Sequence, residues 1–86
     1  MLYWVTTHPQ AAAASAVRPQ QQALWRWLAQ HTGPAQVLHA WRRVGRGAVL
    51  VVHAPTPTDL HDLLAQWTEF VPATFEVQPL LPAPPP

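Results

Sequence analysis

The sequence contains no cysteine and no lysine, and it carries little charge of either sign. Its 86 residues include five arginines and four acidic residues, for a net charge of +1. The absence of cysteine excludes disulfides, thiolate chemistry and cysteine–zinc sites. Only Arg42, Arg43 and Arg46 form a basic cluster, whereas a nucleic-acid interface needs an extended basic surface. We therefore expect no nucleic-acid partner.

Long apolar runs, phosphate-binding loops and metal-binding motifs are also lacking. No segment approaches the roughly 20 apolar residues of a membrane span, and residues 1–5 lack the basic region and long apolar run of a signal peptide. No histidine pair has the spacing of a zinc motif, and no glycine-rich phosphate loop occurs. We therefore expect a cytoplasmic protein with no membrane partner, no metal and no cofactor.

Apolar residues make up 49% of the chain, and five of them are tryptophans. This length and composition predict one small domain with a folded core. We expect that domain over residues 1–81. Residues 82–86 are rich in proline, which predicts a flexible, extended tail.

Two helices and four strands are predicted along the chain. Residues 1–7, 37–44, 47–54 and 73–80 have the composition of strands, and glycines between the second and third predict a hairpin. An apolar stripe with helical spacing begins after Gln20 and ends at Gly33. Before it, Pro19 favours either a helix kinked there or a loop followed by a helix. Thr56, Pro57 and Asp59 predict a capped start for the second helix.

The resulting order, β-α-β-β-α-β, predicts an α+β protein with the ferredoxin-like topology. In that topology two helices cover one face of a four-stranded antiparallel sheet. Because residues 48–52 are all apolar, either Val49 and Val51 or Leu50 and Val52 must lie on the other face. We expect a homo-oligomer to cover that face.

Residues in both halves of the chain resemble the muconolactone isomerase family. The similarity extends over most of the sequence. It rests on the following residues, which occur in family order: Met1-Leu2-Tyr3, His39, Trp41 and Arg42 before the turn, Leu60-His61-Asp62, Phe70, and Glu76-Val77 with Leu80.

The resemblance implies a ferredoxin-like homo-oligomer that moves a proton between carbons of a small lactone without a cofactor. Three positions depart from the family pattern. The first helix has Gln20, Gln21 and Gln22 where the family has a carboxylate as the expected proton carrier. Trp4 also stands where the family tends to have a histidine, and Arg46 where it often has a histidine or an aromatic residue. The departures leave two alternatives, retention of the family reaction or its reassignment to cyclisation or dehydration.

Candidate site residues follow from the chemistry of a proton shift, which needs a group that titrates near neutral pH. His39 and His8 are the candidate catalytic residues, with a structural histidine as the alternative interpretation of each. Glu76 is either a base or, if its face meets a partner subunit, a partner of Arg42 or Arg46 in a salt bridge. Tryptophan and arginine side chains suit a ring and its carboxylate. The candidate substrate-binding residues are Trp4, Trp27, Trp41, Arg42 and Arg46.

Two functions of different classes fit these features. The first is a small isomerase, cyclase or dehydratase that acts without a cofactor on a small oxygenated ring in a tryptophan-lined pocket. The second is a non-catalytic ligand-binding or assembly subunit on the same scaffold, which the missing helix carboxylate favours.

Overall fold

The computed structural model describes residues 1–85 and contains the predicted order of elements. Four strands form one antiparallel sheet, and two helices pack against it. The ferredoxin-like α+β fold is therefore confirmed. The elements are β1 (Leu2–Pro9), α1 (Ala14–Gln30), β2 (Gln36–Arg42), β3 (Ala48–His53), α2 (Pro57–Phe70) and β4 (Ala73–Leu80).

The strands lie in the order β2-β3-β1-β4, so that β1 and β3 are central. In the pairing of β1 with β3, Val5 lies opposite Leu50 and Trp4 opposite Val51. Thr6 lies opposite both Val49 and Glu76 on its two neighbours. Residues opposite each other in adjacent strands point to the same face, so this register determines which side chains share a face.

Helix α1 begins before the predicted apolar stripe, and helix α2 begins at the predicted capped start. Helix α1 starts at Ala14 and runs through Pro19, which favours the first of the two predicted alternatives. Helix α2 has the predicted cap, in which Thr56 Oγ1 accepts a hydrogen bond from the Asp59 amide at 3.2 Å. The same hydroxyl donates to the Asp59 carboxylate at 2.8 Å, and Pro57 occupies the first turn. These contacts satisfy amides that the helix itself leaves unpaired.

The core lies between the helices and one face of the sheet, which we call the helix-side face. Val5, Leu50 and Val52 are completely buried there. The register therefore resolves the alternative in β3: Leu50 and Val52 face the helices, and Val49 and Val51 lie on the opposite, open face. The other buried apolar residues are Tyr3, Leu24, Ala35, Ala48, Ala54, Leu60, Leu63, Leu64, Trp67 and Val71.

The chain after β4 has no helix or strand as far as residue 85, and Leu81 is exposed. The predicted tail, residues 82–86, includes Pro86, which lies outside the described residues. The domain boundary after residue 81 stays a prediction. Neither α1 nor α2 has the length and apolar character needed to cross a membrane.

Candidate functional site

The hairpin between β2 and β3 forms one wall of the candidate site. The Arg43 amide donates to the Gly47 carbonyl at 3.0 Å and closes the turn. Gly45 and Gly47 have φ angles of 96° and 101°, which residues other than glycine rarely adopt. A Cβ atom on Gly47 would also lie 2.6 Å from the Thr7 carbonyl oxygen. Glycine at this position therefore lets the hairpin lie directly against β1.

A half-open cavity of about 610 Å³ lies between this hairpin, the end of β1 and the two helices. We call it the helix-side cavity. Trp25 and Trp67 lie edge to face in its wall, with ring centroids 5.9 Å apart. This volume is in the range of small-molecule pockets. The lining residues are Thr7, Pro9, Ala14, Gln21, Leu24, Trp25, Trp41, Arg42, Arg43, Val44, Gly45, Arg46, Gly47, Ala48, Trp67 and Val71.

Arginines supply the charge of the helix-side cavity. Arg46 Nη1 donates to the carbonyl of Gln10 at 2.6 Å and to that of Ala12 at 3.5 Å, which ties the hairpin to the segment before α1. The Nε atom of Arg46 is buried and has no hydrogen-bond partner. Arg42 pairs opposite Ala48 on the helix-side face and also lines the cavity. The predicted arginines thus lie together in one wall.

The described residues that line the cavity include no histidine, aspartate or glutamate. Gln21 occupies the lining position on α1, and its amide cannot carry a proton near neutral pH. Within residues 1–85, no three histidine or acidic side chains lie close enough to hold a metal ion. A proton carrier for a ligand in this cavity must therefore reach it from the rim.

His8 does not line the cavity and points to the open face with Thr6, but its chain neighbours Thr7 and Pro9 both line the cavity. Its Nε2 atom is 2.9 Å from Oε1 of Glu76. Arg43 Nη1 donates to His8 Nδ1 at 3.2 Å and to the Thr7 carbonyl at 3.1 Å. Arg43 also lines the cavity, so it connects the cavity with His8.

Within one chain Glu76 does not reach Arg42 or Arg46, because strand β4 lies beside β1 and is separated from β2 by two strands. The pairing across a subunit interface stays a prediction. Glu76 points to the open face with Thr6, whereas Arg42 lies on the helix-side face. Among the described residues, the side chain that Glu76 contacts is that of His8, with Oε1 and Nε2 2.9 Å apart.

His39 lies on the open face of the sheet, stacked on Trp41. Their rings are 5.5 Å apart and nearly parallel at 13°, which confirms that they share a face. The Trp41 ring is also 6.3 Å from that of Trp4. His39 and Trp4 are absent from the cavity lining, and His39 instead borders a smaller depression of about 340 Å³ beside α1.

Trp27 packs against the end of α2, with its ring 5.4 Å from Phe70 and 5.1 Å from His31. It does not line the helix-side cavity, whereas Trp25 does. The sequence contained a weak signal for Trp25: Gln21, Leu24 and Trp25 fall at i, i+3 and i+4, on one side of α1 beside the face that includes Trp27. Which of these sides lines the cavity depends on how α1 is rotated against the sheet.

Comparison with known proteins gives a family and a fold. A family model described as a domain of unknown function (DUF3303) matches residues 1–83. No curated protein sequence matches the chain. The crystal structure of muconolactone isomerase superposes with a TM-score of 0.67 over 98% of this chain and 92% of that chain, at 24% sequence identity. The predicted resemblance to muconolactone isomerase is therefore confirmed at the level of the fold.

Proposed function

The chain belongs to the DUF3303 family, and we propose that it is a cofactor-independent enzyme of the isomerase or cyclase type. Its proposed reaction moves a proton on a lactone or related oxygenated ring bound in the helix-side cavity. The observation that carries this proposal is a cavity walled by tryptophan and arginine, whose lining residue Arg43 contacts His8 at 3.2 Å. The fold shared with muconolactone isomerase supports the choice of a lactone, although fold alone does not determine function.

The walls of the cavity suit a small, flat ring. Trp25 and Trp67 present a ring face and a ring edge, and aromatic side chains bind rings in either arrangement. The volume of about 610 Å³ exceeds that of one small ring and leaves room for substituents. We therefore expect a substrate of one or two rings.

The charges at the cavity suit a carboxylate or a developing enolate. Arg42, Arg43 and Arg46 line it, and no acidic residue among the described lining residues opposes them. Guanidinium groups bind carboxylates through paired, charge-assisted hydrogen bonds. The unpaired Nε of Arg46 is a buried donor that a ligand oxygen can satisfy. The substrate is therefore expected to be an anion or to become one during the reaction.

His8 is the better placed of the two candidate proton carriers. It contacts Arg43, a residue of the cavity lining, at 3.2 Å. His39 lies on the same open face as His8, but its ring contact is a stack on Trp41 rather than a hydrogen bond to an arginine of the cavity.

Turnover of muconolactone in D2O, followed by NMR, tests the enzyme proposal. We expect isomerised product that carries deuterium at the new C–H bond. Arg42→Gln is expected to raise KM by about tenfold or more, because one charge-assisted hydrogen bond is lost. Arg18→Gln, on the exposed part of α1, is the matched control and should have no effect. Equal kinetics of the two variants would place the substrate elsewhere.

A second candidate function is ligand binding without turnover. The observation that favours it is the lack of histidine and acidic residues among the described lining residues. This candidate predicts that muconolactone or benzoate quenches Trp25 and Trp67 fluorescence to saturation and is recovered unchanged. Any chemical change in the bound compound excludes it.

We also propose that the chain self-associates through the open face, and we expect it in the cytoplasm. Trp4 and Trp41 are 37% and 50% exposed there, and Val49 and Val51 lie between them in the central strand β3. Exposed apolar surface of this kind is typical of protein interfaces. A second copy of the chain can cover it with the same residues.

A further inference from the structure

Three residues from distant parts of the chain meet where the hairpin after β2 reaches the end of β1; Arg43 lines the helix-side cavity, and His8 and Glu76 lie on the open face. His8 is near the end of β1, Glu76 is in β4, and Arg43 follows β2. In the β1–β4 register, Glu76 lies opposite Thr6 and His8 opposite Thr74. His8 and Glu76 are therefore diagonal neighbours on one face, a spacing that long side chains bridge. The hairpin brings Arg43 to the other side of the imidazole.

The two contacts of His8 define which of its ring nitrogens carries the proton. Glu76 is a carboxylate and can only accept a hydrogen bond, whereas Arg43 is a guanidinium and can only donate one. Nε2 must therefore donate to Glu76 at 2.9 Å, and the lone pair of Nδ1 must accept from Arg43 at 3.2 Å. The neutral Nε2–H tautomer is the form that satisfies both contacts, with the Nδ1 lone pair directed at the arginine.

We infer that Glu76, His8 and Arg43 form the proton-transfer site of this chain, an inference that rests on the proposed function. Nδ1 of His8 is the base, Glu76 is the positioning residue, and Arg43 binds the carbonyl oxygen of the substrate. Both kinds of group that an enolisation requires, a base and an oxyanion donor, are adjacent here.

The step balances without a cofactor. A C–H bond next to the carbonyl breaks, an N–H bond forms at Nδ1, and the electron pair moves to the oxygen held by Arg43. Glu76 stabilises the imidazolium that results. The same Nδ1–H then breaks as the proton is returned to a different carbon of the conjugated enolate, so the product is an isomer and His8 is regenerated.

The resting contact between Arg43 and His8 defines the class of substrate. A carbonyl oxygen that replaces Nδ1 as the acceptor for Arg43 Nη1 frees the lone pair of His8. The carbon next to that carbonyl then lies close to Nδ1, because the two nitrogens are 3.2 Å apart. Arg43 keeps its second bond, to the Thr7 carbonyl at 3.1 Å, so it stays in place. The site therefore suits an enolisable ring ketone or lactone.

Nitrogen-15 NMR of the histidine ring tests the positioning role without a substrate. At a pH where the imidazole is neutral, we expect wild-type His8 as the Nε2–H tautomer. Glu76→Gln is expected to give a mixture of tautomers, because an amide can either donate to Nε2 or accept from it. Glu69→Gln, an exposed carboxylate on α2, is the control. An unchanged single tautomer in Glu76→Gln overturns the positioning role.

Kinetics on muconolactone test the chemical role. His8→Asn is expected to lower kcat by about 10²- to 10⁴-fold, the usual contribution of a general base. Glu76→Gln should lower kcat by about tenfold or more with little change in KM, and Glu76→Asp should restore part of it. Arg43→Gln should both lower kcat and raise KM.

The outcomes separate this inference from the proposed function. Turnover by the wild-type protein that His8→Asn leaves unchanged overturns the site and retains the enzyme. A wild-type protein without turnover overturns the proposed function, and the tautomer of His8 in wild type and Glu76→Gln then decides the inference. If wild-type His8 is the Nε2–H form and Glu76→Gln loses that form, the arrangement of Glu76, His8 and Arg43 is supported. Any other result overturns it.

Discussion

The two faces of the sheet differ in both packing and chemistry. On the helix-side face, Val5, Leu50 and Val52 have no exposed surface, whereas Trp4 and Trp41 on the open face are 37% and 50% exposed. The helix-side cavity is lined by arginine and tryptophan without an acid or histidine among its described residues. The open face carries histidine and glutamate. The groups of a proton-transfer site are therefore divided between the faces, with arginine donors on one and a candidate base on the other.

The two sets of groups meet at one end of the sheet, where the hairpin after β2 reaches β1. Arg43 lines the cavity and contacts His8, whose other nitrogen contacts Glu76. Side chains alternate between the two faces along a strand. His8 therefore points to the open face, whereas its neighbour Thr7 lines the cavity. At a strand end, groups from opposite faces of the sheet can therefore act together.

The largest expected difference between the faces is in the tryptophans. Trp67→Ala should lower the free energy of unfolding by about 3 to 5 kcal/mol, because it empties a buried volume. Trp41→Ala, on the open face, should lower it by less than about 1 kcal/mol in dilute solution. Urea unfolding followed by circular dichroism measures both without relying on tryptophan emission. Equal losses would mean that the open face is buried in solution.

The two glycines of the hairpin provide the same comparison within one turn. Gly45→Ala should destabilise by about 1 to 2 kcal/mol, the cost of a side chain at positive φ. Gly47→Ala should cost about 3 kcal/mol or more, since its Cβ atom would also lie 2.6 Å from the Thr7 carbonyl oxygen. Urea midpoints of the two variants provide the measurement. A smaller loss in Gly47→Ala would show that the hairpin can move away from β1.

Adjacent valines in β3 test the alternation of faces most directly. Val52→Ala should lower the free energy of unfolding by about 1.5 to 3 kcal/mol, because Val52 is fully buried. Val51→Ala, the same change on the open face, should cost less than about 1 kcal/mol in dilute solution. The reverse order would indicate that β3 is rotated or shifted by one residue.

Substitution of Trp41 has the smallest expected effect on stability in dilute solution, but at high protein concentration it tests self-association. If a second copy covers the open face, the wild-type protein should sediment above its monomer mass of 9.6 kDa, and Trp41→Ser should shift it toward that mass. The stability difference between the two should also grow with protein concentration. Wild-type protein that stays monomeric at high concentration would contradict self-association and leave the contrast between the faces intact.

Much of the fold could be read from local signals. The order of strands and helices follows from periodicity and length, the hairpin from Gly45 and Gly47, and the start of α2 from Thr56, Pro57 and Asp59. Each of these signals acts between residues close in sequence, through backbone dihedral preferences or caps, so the chain needs no tertiary contact to express it. Even the shared face of His39 and Trp41 is a property of one strand.

The composition of the candidate site was decided by tertiary structure. The apolar run in β3 is compatible with either face, and only the pairing with β1 sends Leu50 and Val52 to the helices. The contact between Glu76 and His8 was not predicted for the same reason, because the two residues are 68 positions apart in sequence. The sequence alone determined which elements form and which residue types are available. Sheet order and register determined which of them meet, because long-range pairing sets distances that local preferences cannot encode.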